Sequence, residues 1–116
     1  GTRFFPAASF FRDCILALEC HSPYGSTLAG LHQLRSLDAA GVFRHLAGIV
    51  IGQISEEEEQ MLRRFLKYEA RREDIPVLAN VDFVHRTPMT VIPMGAMTEI
   101  DCENVTFKIL ESGVAD

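Results

Sequence analysis

The chain has 116 residues, 47% of them hydrophobic and 23% charged, a composition typical of one compact domain with an apolar core. Its formal net charge of −5 argues against a surface that binds nucleic acid. No stretch reaches the roughly 20 consecutive apolar residues of a membrane span, and the start lacks the pattern of a secretory signal. We therefore expect a single domain over 1–116, with neither nucleic acid nor a membrane as a partner.

The cysteines indicate the cellular compartment, and the first residues indicate that the chain is part of a longer protein. Cys14, Cys20 and Cys102 are an odd number without CxxC spacing, which argues against a disulfide framework and against a structural zinc site. Reduced thiols in a cytoplasmic protein are the simplest interpretation. The chain begins with an apolar stretch that contains a proline, so we interpret residues 1–12 as a linker or first strand of a longer protein.

A buried strand followed by an amphipathic helix is predicted first. Residues 13–19 form a short apolar run that ends at Glu19, as expected of a strand buried on both faces. Ser22-Pro23 then offers a helix start, and leucines recur on one face until Gly41 supplies a left-handed stop.

A second strand and a second helix follow. The apolar run 47–52 is too short for a helix and predicts another buried strand, with Gln53 at its far end. Ser55 and Glu58 form a capping box that predicts the start of the second helix. Its apolar stripe consists of Met61, Leu62, Phe65 and Leu66.

The segment 76–81 predicts a third buried strand, which runs directly into a segment that contains His85. Strand–helix crossovers of this kind give a parallel sheet, in which the carboxyl ends of all strands lie along one edge. Glu19, Gln53 and His85 should then share that edge. Open parallel sheets assemble their sites there, so this edge is the predicted functional site.

The end of the chain has a different pattern. Residues 97–100 and 106–110 flank a polar turn, as the two strands of an antiparallel hairpin do. The predicted fold class is therefore α/β, with a three-stranded parallel βαβαβ core plus a C-terminal antiparallel hairpin.

Glu19 and His85 are the candidate catalytic residues. A carboxylate that accepts a hydrogen bond from an imidazole orients it, and the imidazole can then take a proton from a hydroxyl nucleophile. The alternative is a surface glutamate and a loop histidine that never meet. A metal site at Glu19-Cys20-His21 is less favoured, because adjacent strand residues point to opposite faces. Asp82 is expected to brace the His85 loop by accepting backbone hydrogen bonds.

Several segments together resemble the carboxy-terminal half of the LD-carboxypeptidase and microcin-immunity family of serine peptidases. The similarity covers nearly the whole chain in order and spacing. Its shorter pieces are 1–6, 15–19, 41–43 and 48–52. The strongest stretch is Pro76-Val77-Leu78-Ala79-Asn80-Val81-Asp82-Phe83-Val84-His85, followed by Pro88-Met89-Thr90 and Pro93-Met94-Gly95.

The resemblance implies a cytoplasmic serine peptidase that cleaves the amide next to a carboxy-terminal residue, commonly in murein tetrapeptides or peptidyl-nucleotide antibiotics. It implies no metal and no other cofactor. The acid and the base of the triad map onto Glu19 and His85, whereas the serine belongs to an amino-terminal nucleophile domain. It also implies a swivelling β/β/α fold and a homodimer. No Gly-x-Ser-x-Gly elbow occurs in this sequence, so the chain alone should be inactive.

Three positions depart from the pattern of the family. Cys20 stands where many relatives have a second acid, Val84 replaces a small residue, and Arg86 separates the histidine from Thr87. Arg86 could bind a substrate carboxylate, although a solvated loop charge is the simpler interpretation. The competing function is a noncatalytic module whose sheet edge binds a peptide or a partner domain.

Overall fold

The computed structural model describes residues 3–19, 27–83 and 87–113. Its strands and helices are, in chain order, β1 (Ile15–Leu18), α1 (Thr27–Ala39), β2 (Gly48–Ile51), α2 (Glu56–Arg64), β3 (Val77–Leu78), β4 (Thr98–Asp101) and β5 (Thr106–Ile109). Short 3₁₀ turns form at Ala8–Phe11 and Val42–Arg44, and a π-helical turn at Phe65–Glu69 continues α2. The predicted helix start at Ser22-Pro23 lies outside the described residues.

The strands form two separate sheets, and this confirms the predicted α/β class. One sheet is parallel with the order β1-β2-β3, and α1 and α2 lie between its strands in the chain. Leu18 is paired with Ile51 at the carboxyl ends of β1 and β2, and Val50 is paired with Leu78 in β3. The other sheet is the predicted antiparallel hairpin of β4 and β5.

The burial of the parallel strands differs with their place in the sheet. All four residues of β2 are buried, because β2 is the central strand and pairs on both sides. All four residues of β1 are only half-buried, so the prediction that this strand is buried on both faces is wrong. Within the described part of the chain β1 pairs with β2 alone, and an apolar run does not distinguish a central strand from an outer one.

The hydrophobic core lies between β2 and the two helices. The predicted stripe of α2 packs into it, with Leu62, Phe65 and Leu66 buried and Met61 half-buried. The helix begins at the predicted capping box, in which Ser55 Oγ accepts from Glu58 N–H and Glu58 accepts from Ser55 N–H. These contacts fix the loop that connects β2 to α2. No helix in the described ranges is long and apolar enough to cross a membrane.

The third strand is shorter than the predicted run 76–81. It spans Val77–Leu78 because Asn80 adopts a left-handed conformation with φ of 60°. Asparagine adopts left-handed backbone conformations more readily than most residues, and the Asn80 side chain also makes a hydrogen bond here. Asn80 Oδ1 accepts a hydrogen bond from Ile54 N–H, with 3.3 Å between nitrogen and oxygen. The asparagine therefore both ends the strand and attaches it to the chain that follows β2.

Arg72 connects the end of the π-helical turn to the loop before β2. Its guanidinium donates to the carbonyl oxygens of Phe43 and Leu46 and to the carboxylate of Asp74. The hydrogen bond from Arg72 holds the pKa of the Asp74 carboxyl below its ordinary value. These contacts to Phe43 and Leu46 join segments that are 29 and 26 residues apart in the sequence.

Replacing Arg72 by lysine should lower the free energy of unfolding by about 1–3 kcal/mol, because the guanidinium uses three separate nitrogen atoms for these contacts and lysine has only one on a shorter side chain. The exposed neighbour Arg71 provides the matched control, since Arg71→Lys makes the same change outside this contact. Chemical denaturation of both variants checks the prediction. Equal stabilities of the two variants would show that the guanidinium contact contributes nothing to the fold.

Candidate active site at the carboxyl edge of the parallel sheet

Backbone hydrogen bonds continue the parallel pairing beyond the ends of the strands. Gly52 N–H donates to Leu18 O over 3.2 Å, which joins the end of β2 to the residue before Glu19. On the other side, Val81 N–H donates to Ile51 O over 3.0 Å. The chain segments that follow all three strands are therefore held together. Glu19 and Gln53 share this edge as predicted, and His85 lies outside the described residues.

The order of the strands decides how far Glu19 has to reach. β2 lies between β1 and β3, so the segment after β3 is two strand spacings from Glu19, or roughly 9–10 Å. The described residues that directly follow β3 therefore lie across the end of β2 from Glu19. Glu19 is half-buried and makes an interaction in the structure. Its predicted pairing with His85 stays a prediction.

A backbone hydrogen bond joins described residues on either side of segment 83–89, which contains His85 and is called the His85 segment. Thr90 N–H donates to the backbone carbonyl oxygen of Asp82, and Phe83 N–H donates to Val81 O over 2.9 Å. The first of these bonds brings the two ends of segment 83–89 together. The expected brace at Asp82 is thus present, but the main-chain carbonyl provides it. The Asp82 carboxylate instead accepts from Gln53 Nε2, with 3.4 Å between the atoms.

Two polar residues at this edge have roles that the sequence did not reveal. The sequence pattern assigns no functional role to Asn80. In the structure, its backbone N–H donates to Gly52 O over 3.3 Å, and its side-chain oxygen accepts a hydrogen bond from Ile54 N–H. Gln53 was placed at the edge without a partner. The sequence signal that could have indicated the contacts of Asn80 is an asparagine at the end of an apolar strand, because asparagine favours turns and side-chain–backbone hydrogen bonds.

A cavity of about 360 Å³ has Asp82 among its lining residues. It is bounded by segment 78–83 on one side and by β5 on the other, and Thr90 and Ile92 contribute to its wall. A larger cavity of about 510 Å³ lies between α2 and β3. The smaller cavity matters more for the candidate site, because its wall includes the residues that precede and follow the His85 segment.

Exposed apolar side chains occur on both sides of the domain. Met89 and Val91 flank Thr90 and are 68% and 84% exposed, so the edge near the His85 segment presents apolar surface. Aromatic side chains are also exposed in the segment before β1. Phe10 is exposed, but it packs on Phe11 shortly before β1 begins, at the amino end of the strand. This cluster is therefore about one strand length from Glu19.

The remaining candidate groups are the possible metal ligands and the cysteines. In segments 3–19, 27–83 and 87–113, no group of three or more His, Cys, Asp or Glu residues is arranged to hold a metal ion. Cys14 and Cys102 are free thiols. Cys20 and His21, which formed the weaker metal hypothesis with Glu19, lie outside the described residues, as do Val84 and Arg86.

Comparison with known proteins places this architecture in a family. Residues 1–100 match the family described as the LD-carboxypeptidase C-terminal domain. The chain is also 30% identical over 106 residues to a protein of Treponema pallidum (strain Nichols) named "Putative carboxypeptidase". That similarity covers 89% of this chain and 30% of the relative, so the chain spans less than a third of the relative's length. The chain belongs to the family of LD-carboxypeptidase C-terminal domains.

Proposed function

We propose that this chain is the carboxy-terminal domain of a serine carboxypeptidase and supplies the glutamate and the histidine of a Ser-Glu-His triad. Glu19 is the proposed acid and His85 the proposed base. The observation that supports this assignment is the shared carboxyl edge of the parallel sheet. Glu19 follows β1 directly, and the His85 segment begins directly after Asp82, whose neighbour Val81 is hydrogen-bonded to the end of β2.

In the proposed mechanism Glu19 orients the imidazole of His85, and His85 transfers the protons. Glu19 accepts a hydrogen bond from the imidazole of His85, which fixes the tautomer and stabilises the imidazolium. The imidazole takes the proton of a serine hydroxyl from the amino-terminal domain as that oxygen attacks the scissile carbonyl. It then gives the proton to the leaving amine. Water then attacks the acyl group on the serine. The imidazole takes the proton of this water and gives it to the serine oxygen as the acyl group leaves.

The proposal extends to the substrate and to the whole protein. We propose a peptide substrate whose carboxy-terminal residue is removed, either a murein tetrapeptide or a peptidyl-nucleotide antibiotic of the microcin C type. The cavity beside Asp82 offers space next to the His85 segment for part of such a peptide. The partner of this domain is its own nucleophile domain, and the full-length protein is proposed to be a cytoplasmic homodimer.

Hydrolysis assays on the full-length protein test the proposed activity. An L,D-linked murein tetrapeptide and a peptidyl-nucleotide conjugate are each incubated with the full-length protein and with residues 1–116 alone. We expect release of the carboxy-terminal residue from at least one substrate by the full-length protein and none by residues 1–116. Hydrolysis by residues 1–116 would contradict the shared triad, and cleavage of neither substrate by either protein would contradict the proposed activity.

A further inference from the structure

The geometry points to Gln53 and Asp82 as a pair of positioning residues that sets the base of the His85 segment. This inference rests on the proposed function, because the segment matters for catalysis only if His85 is the base. Neither residue is proposed to touch the substrate. Their role is to hold the ends of β2 and β3 in one relative position, from which the chain continues to His85.

The contact between the two side chains joins segments that are 29 residues apart. Gln53 Nε2 donates to Asp82 Oδ1 over 3.4 Å, and both residues are half-buried. Because the Asp82 carboxylate is partly removed from water, it needs hydrogen-bond donors from the protein, and Gln53 provides one. The contact therefore favours one arrangement of the two strand ends.

Each member of the pair is itself fixed by the backbone. Gln53 follows Gly52, whose N–H donates to Leu18 O and whose carbonyl oxygen accepts from Asn80 N–H. Asp82 uses its own carbonyl oxygen to accept from Thr90 N–H at the far side of the segment. Gln53 thus lies between the end of β1, which Glu19 follows, and the end of β3, from which the chain continues to His85. A change at Gln53 should be transmitted to Asp82, and from Asp82 to Thr90.

The position of this base should affect turnover more than substrate binding. A histidine that is displaced by about 1 Å can lose roughly 100-fold in rate, because proton transfer requires hydrogen-bond geometry. Substrate affinity depends on many other contacts, most of them outside this pair. A positioning role therefore predicts that kcat falls while KM changes little.

Gln53→Glu in the full-length protein provides the test, because it replaces the donor by a carboxylate of the same size. Two carboxylates then face each other, and we expect kcat to fall at least 10-fold at pH 8 with KM changed by less than about 3-fold. Like charges raise the pKa of one carboxyl group of such a pair. As the pH falls through that raised pKa the repulsion disappears, so the ratio of wild-type to variant kcat should shrink towards low pH.

The double variant Gln53→Glu/Asp82→Asn restores a donor and an acceptor in exchanged positions and should recover most of the lost kcat. Gln60→Glu is the matched control, since Gln60 Nε2 also lies 3.4 Å from a carboxylate oxygen, that of Glu56, on the exposed part of α2. Unchanged kcat in Gln53→Glu, or no recovery in the double variant, would overturn the pairing.

Amide hydrogen exchange at Thr90 tests the same inference without any enzymatic activity. In residues 1–116, Gln53→Glu should raise the exchange rate of Thr90 N–H about 10-fold, and the double variant should reverse the change. Unchanged exchange at Thr90 would overturn the inference even if the proposed peptidase activity is demonstrated. A reversible change at Thr90 would uphold the positioning contact even if no substrate is hydrolysed.

Discussion

In the full-length protein, replacing His85 by alanine will lower kcat for the carboxypeptidase substrate by about 10⁴-fold or more. The loss is this large because in the proposed triad the imidazole both takes the proton of the serine hydroxyl and protonates the leaving amine. KM should change far less, since the imidazole acts on protons in the transition state. Steady-state kinetics on the purified variant measure both constants.

His32→Ala serves as the control for this substitution. His32 is exposed on α1 and lies outside the carboxyl edge, so its removal should leave kcat within about 2-fold of wild type. Circular dichroism of both variants shows whether the fold is retained. A folded His85→Ala variant with wild-type kcat would contradict the assignment of the base.

Shortening Glu19 to aspartate will lower turnover strongly even though the negative charge is kept, and neutralising it to glutamine will lower turnover further. We expect kcat to fall by at least about 100-fold in Glu19→Asp and by roughly 10⁴-fold in Glu19→Gln. The reason is the order of the strands, because in the proposed triad the Glu19 carboxylate reaches across the end of β2 towards the segment that follows β3. An aspartate keeps the charge and loses one methylene of that reach.

Glu103→Asp makes the same change at an exposed position in the turn of the β4–β5 hairpin and should leave kcat unaffected. Comparison of kcat among the three glutamate variants checks the prediction. Near-normal turnover by Glu19→Asp would show that the acid works without crossing β2, and the strand order would then not explain the use of glutamate.

The elements that the sequence predicted well are those with strong local signals. The run of β2 is apolar and β-branched, and the capping box at Ser55 is a local pattern, so both were placed correctly. The hairpin of β4 and β5 followed from a polar turn between two strand-like runs. The end of β3 was missed because Asn80 prefers a left-handed turn that an apolar pattern does not report.

The candidate site could be predicted as an edge but not as a set of contacts. Parallel topology alone places Glu19 and Gln53 at the carboxyl ends of neighbouring strands, and the structure has them there. The strand order and the contact between Gln53 and Asp82 depend on long-range packing, which no local pattern encodes. The family resemblance supplied the two candidate residues, whereas the structure adds the strand order, which places β2 between Glu19 and the residues that directly follow β3.

A double-mutant cycle on Glu19 and His85 in the full-length protein tests the shared triad most directly. Because the two residues are proposed to act as one proton-transfer unit, the double variant Glu19→Gln/His85→Ala should be no less active than His85→Ala alone. A loss in the double variant equal to the product of the two single losses would show that Glu19 and His85 act independently, and would contradict the proposed triad.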